Sequence, residues 1–175
     1  TYETSTPMAE WQQGTFPHLY QNNEAWGYAL FSGSTVAEAG SAPTSLCMAY
    51  VQATGSRAYT PAGFAAYGND HGLAAGTVDE TAAYLAQAAA AFNLAAEPVE
   101  VDALALRRPL ALGSTVIAVL PGSGSSSPTA LVIEGVNEDS ALSVLNPASP
   151  THTPEAWSFD DMMQNAGVLL ALRTA

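Results

Sequence analysis

The sequence predicts an α+β domain in which a helical first half packs on an antiparallel β-sheet. Three observations point there. Apolar residues recur at helical spacing through the first half, the second half turns to short runs of aliphatic and β-branched residues, and no internal repeat interleaves the two. At 175 residues the chain is long enough for one domain. A chain of that length can bury roughly 70% of its unfolded surface, so neither a disulfide nor a metal is needed to hold it. With 48% hydrophobic and 11% charged residues it is neither disordered nor a charged coiled coil.

Residues 1–20, with Thr-Ser-Thr-Pro and Gly-Thr-Phe-Pro, read as an irregular lead-in or linker remnant, and residues 21–175 as the domain. From Pro43 to Thr54, Leu46, Ala49, Tyr50 and Ala53 fall at helical spacing, and Gly55 can take the left-handed cap. This is the expected central helix. Thr60-Pro61 pairs a cap with a first-turn proline, and that second helix should end within Asn69 to Gly72. Thr77-Val78-Asp79-Glu80 has capping-box spacing before an alanine-rich helix with Leu85, Ala88, Ala89 and Phe92 on one face. After Pro109 the runs Ser114 to Leu120, Ala130 to Val136, Ala141 to Leu145 and Gly167 to Leu172 read as strands of one antiparallel sheet. Asn137 to Ser140 suits a hairpin turn, and Pro121 to Pro128 is a Gly/Ser-rich loop expected to be mobile. Ser158, followed by Asp160 and Asp161, can start a short helix.

Charge narrows the function. Sixteen acidic residues face four arginines, and there is no lysine, giving a net charge of −12. Nucleic acid and anionic membranes are therefore not expected partners, because the cations that neutralise phosphates are missing. No apolar run approaches the ~20 residues that span a bilayer. A single cysteine excludes an internal disulfide and a Cys-rich metal site. His18, His71 and His152 are far apart, so no metal and no cofactor are expected. Cys47, between Leu46 and Met48, reads as a buried core residue, and Glu97, Glu100 and Asp102 as a solvated edge. Trp26, Tyr59 and Trp157 read as core aromatics.

One ordered set of residues stands out: Gln21, Trp26, Gly40-Ser41-Ala42-Pro43-Thr44-Ser45-Leu46, Tyr59-Thr60-Pro61, Gly76-Thr77, Val116 to Val119, Thr129 to Val136, and Asn146-Pro147. The order resembles the papain-like cysteine peptidases of the bacteriocin-processing-peptidase-like family, from about Gln21 to the C-terminus. The resemblance implies a papain-like fold. It also aligns Ser41 with the catalytic cysteine of G-C-G-P-T-S, Thr129 with the histidine that opens H-F-I-V-x-x-G-V, and Asn146 with the aspartate of N-D-P. Gln21 resembles the oxyanion-hole glutamine and alone keeps its expected chemistry.

A serine needs a base within reach, threonine cannot serve as one near neutral pH, and an asparagine has no imidazole to orient here. The expectation is a catalytically inactive peptidase relative. The resemblance implies a secreted or cell-surface module of a Gram-positive bacterium whose old cleft binds an extended peptide. Two alternatives stay open. One is an active hydrolase or acyltransferase using Ser41 with a base from elsewhere, His71 or His152. The other is a structural or adhesive surface module with a filled cleft. On the bland reading, Ser41 and Thr129 are small polar residues bonded to local backbone, and Asn146 ends a strand in a turn.

Overall fold

A computed structural model describes residues 4–124, 126–149 and 154–175. After a 3-10 turn at Met8–Glu10, a two-stranded ribbon, β1 (Leu30–Phe31) and β2 (Ser34–Thr35), leads into α1 (Val36–Ala39). Gly40 joins α1 directly to the central helix α2 (Ser41–Thr54). A Cβ on Gly40 would sit 2.5 Å from the Val36 carbonyl oxygen, so only glycine lets the two helices meet there. Gly55 closes α2 at φ 70°, in the left-handed cap that the sequence predicts.

The next two helices follow their caps. Thr60 precedes α3 (Pro61–Asp70). The Thr77 hydroxyl accepts the Glu80 N–H at 3.1 Å, opening α4 (Val78–Ala91) with Leu85, Ala88 and Ala89 buried. The described part of residues 1–20 has no regular element beyond the 3-10 turn, yet Trp11 and Leu19 are buried in the same core as α2.

Six strands form one antiparallel sheet in the order β3-β8-β4-β5-β6-β7. They are β3 (Leu94–Val99), β4 (Thr115–Leu120), β5 (Thr129–Val136), β6 (Leu142–Leu145), β7 (Glu155–Trp157) and β8 (Val168–Thr174). The turn between β5 and β6 is organised by Asn137, whose Oδ1 accepts the Asp139 and Ala141 N–H groups at 2.9 and 3.0 Å. Between sheet elements lie α5 (Ala103–Ala111) and α6 (Phe159–Asn165). The Ser158 hydroxyl caps α6 by accepting the Asp161 N–H.

Alternation along the strands sends side chains into two cores. Ile117, Val119, Ala130, Val132, Leu170 and Leu172 face α2 and α4; Val116, Ala118, Leu131, Ile133 and Leu169 face α5 and α6. The sheet is thus covered on both faces. That explains why β4 is buried from Thr115 to Val119 and reads as a continuous apolar run rather than an alternating one. The α+β class and the central helix match the expectation. The second helical layer through α5 is an addition that the sequence did not suggest. Among the described residues no helix is long and apolar enough to cross a membrane.

Candidate functional site

Ser41 is the first residue of α2 and is buried. Its Oγ accepts the Ala130 N–H at 2.9 Å and lies 3.5 Å from the Pro128 carbonyl oxygen, to which it donates at the long limit. One turn further on, Ser45 Oγ donates to the Ala130 carbonyl at 3.0 Å. Residue spacing of four puts both hydroxyls on one face of α2. Together they bond both backbone groups of Ala130 and fasten the helix to the start of β5. Thr129, half-buried, lies between Pro128 and Ala130, so the Ser41 and Thr129 positions adjoin.

Asn146 follows the end of β6, whose Leu145 pairs with Val132 of β5. Its amide is engaged locally: Oδ1 accepts the Ala148 N–H at 3.0 Å, and Nδ2 donates to Glu155 at 3.3 Å. Glu155 in turn accepts the Trp157 indole N–H at 2.9 Å. Trp157 is half-buried, with its polar edge turned to this carboxylate. The turn reading of Asn146-Pro147 describes this geometry well.

Gln21 is buried beside the same corner, its backbone N–H donating to the Pro147 carbonyl at 3.0 Å. Its Nε2 donates to the Ala37 carbonyl in α1 at 3.1 Å. The opposite amide orientation would set two acceptors against each other, so this bond fixes the side chain. Oε1 is left buried with no partner, the one such side-chain atom among the described residues. All four positions drawn from the resemblance therefore lie around the junction of α2, β5 and the end of β6.

The other residues singled out lie elsewhere. His71 caps α3, with Nδ1 2.9 Å from the Tyr67 carbonyl and its ring stacked on Tyr67 at 4.0 Å. His18 is half-buried in the opening segment, and its backbone N–H donates to Thr6 Oγ1. His152 lies outside the described residues. Trp26 is a core residue whose indole donates to the Tyr20 carbonyl at 2.7 Å. Tyr59 is 40% exposed and joins an edge-to-face cluster with Tyr50, Phe64 and Phe92, so it sits at the border of the core. Cys47 is wholly buried and burial pushes its thiol well up, which leaves it unionised and inert. Glu97 lies in β3 and pairs with Arg173 at 3.0 Å, both side chains being largely exposed. Among the described residues no cluster of three or more His, Cys, Asp or Glu could hold a metal. Ser45 is the contact that motif reading passes over; its spacing from Ser41 is the signal that carries it.

No family model matches the chain, and no curated protein matches it. Among solved structures the chain is similar to the N-terminal peptidase C39-like domain of the toxin secretion ATP-binding protein from Vibrio parahaemolyticus. The likeness is 18% identity over 53% of this chain and 68% of that one, with a TM-score of 0.34. A superposition of that extent carries no conclusion about activity.

Proposed function

We propose that the chain is a non-catalytic relative of the papain-like cysteine peptidases, and that the corner between α2 and β5 binds an extended peptide without cutting it. The observation that carries this reading is the engagement of Ser41. Its hydroxyl accepts a backbone N–H from Ala130, and the acceptor it faces is the Pro128 carbonyl, which cannot take up a proton. His71 is turned to Tyr67. Asn146 spends its amide on Ala148 and Glu155 rather than on residue 129. The unpartnered Gln21 Oε1 supports binding, because a buried acceptor is satisfied by a donor such as a peptide N–H. Export to the cell surface belongs to the same proposal and rests on the family resemblance alone.

A second reading, a structural or adhesive module, is favoured by the burial of both Ser41 and Gln21. Incubation with a library of extended peptides, followed by amide-resolved NMR and mass spectrometry of the products, separates the readings. The proposal expects saturable shifts at Gln21, Ser41 and Ala130 with no new peptide fragments. Intact protein with no shifts there supports the structural module, and specific turnover abolished by Ser41→Ala overturns both.

A further inference from the structure

The four arginines of this chain are unequally employed. Arg57 donates to the Ala9 and Trp11 carbonyls at 2.8 and 3.1 Å, Arg107 lies 4.0 Å over the Phe159 ring, and Arg173 pairs with Glu97. Arg108 is the one arginine among the described residues with no hydrogen bond, ion pair or ring contact. It stands exposed on α5, in a stripe that a helix of 3.6 residues per turn makes of Leu104, Arg108 and Leu112. Leu104 is 77% and Leu112 75% exposed.

Arg108 and Arg173 together line a cleft of about 320 Å³ between the last turn of α5 and the β3–β8 edge of the sheet. Its apolar wall is Pro98, Val99, Pro109, Leu112 and Ala171, and its third charge is Glu97. Glu97 neutralises Arg173 by pairing with it, so Arg108 supplies the one uncompensated charge of the cleft lining, a positive one on a chain of net charge −12. Its walls are stiff as well, since two of the five apolar residues are prolines.

We propose that this cleft binds an apolar peptide segment bearing a carboxylate, with the free guanidinium of Arg108 holding the carboxylate and Val99, Pro98 and Leu112 receiving the adjoining aliphatic side chain. Charge complementarity selects that partner: a planar guanidinium fork matches a carboxylate in two parallel hydrogen bonds, and the surrounding apolar wall rewards a ligand that brings hydrocarbon with its charge. Neither a cationic nor a purely polar ligand uses both features. The site is independent of the Ser41 corner. Val99 and Ala171 belong to the α5 face of the sheet, whereas Ala130 faces α2. Ser114, in the cleft, precedes the start of β4, whereas Leu120 at its other end pairs with Thr129.

The test uses the full chain and two forms of one hexapeptide, acetyl-Gly-Gly-Ala-Val-Ala-Leu, with a free C-terminal carboxylate or a C-terminal amide. Binding is read by titration calorimetry and by amide shifts, and circular dichroism confirms that each variant is folded. The acid should bind with shifts at Gly113, Ser114 and Ala171, and both Arg108→Gln and amidation of the peptide should weaken it about tenfold or more. Arg107→Gln, altered outside the cleft, should leave the affinity unchanged. Equal binding of acid and amide, undiminished binding to Arg108→Gln, equal weakening by Arg107→Gln, or no saturable binding of the acid at millimolar concentration would each overturn the proposal.

Discussion

Removing the Ser41 hydroxyl leaves the Ala130 N–H buried with nothing to accept its proton. The loss is asymmetric, because an unpaired buried donor costs its full desolvation penalty while a satisfied bond contributes less. Ser41→Ala is therefore expected to lower the unfolding free energy by about 1–3 kcal/mol, read from the shift in urea midpoint at constant slope. A change within the error of the measurement would mean that the hydroxyl does not hold the joint. The residues of this corner were legible in the sequence as a set, because their motif order could be read directly. Their engagement was not. The bonds that fix Ser41 and Ser45 reach partners 89 and 85 positions away, and no local pattern announces them. The same holds for Gln21, whose side-chain Nε2 donates to the Ala37 carbonyl, 16 positions away.

Elements that carry their own start and stop signals were easy to read. Helices α2, α3 and α4 lie where Gly55, Thr60-Pro61 and Thr77 predict, because caps act over a single turn of chain. Strand β3 and helix α5 escaped notice because each contains a proline. In β3, the Ala175 N–H donates to the Asn93 carbonyl, so alternation turns the backbone of Leu94, Ala96 and Pro98 away from β8. Pro98 thus sits where its missing N–H costs no ladder bond, on an edge strand. In α5, Pro109 falls near the end of the helix, and burial of Leu106 against the second core outweighs the lost bond. The junction of α1 and α2 gives the sharpest test at this scale. Gly40→Ala should destabilise the protein by about 1–3 kcal/mol, since the new methyl group meets the backbone of Val36 rather than a movable side chain. Thermal and urea unfolding of the variant check it, and an unchanged midpoint would show that α1 can shift aside.

At the scale of the whole molecule, sequence and structure agree on the class and differ on layering. The segregation of helical and strand patterns gave a helical half on a sheet, but the same apolar runs also require cover on the second face, which α5 and α6 supply. Composition set the remaining bounds: a chain this acidic and without lysine leaves few places to receive an anion, and the α5 cleft is one. At the α2–β5 corner, Ser41, which the resemblance sets at a nucleophile position, joins helix to sheet through the Ala130 N–H. The most direct measurement of that claim is labelling by a fluorophosphonate, which forms an adduct only on an activated serine. Intact-mass analysis of the folded protein should find Ser41 unmodified under conditions that fully label an active serine hydrolase. A stoichiometric adduct mapped to Ser41, absent from Ser41→Ala, would contradict the account.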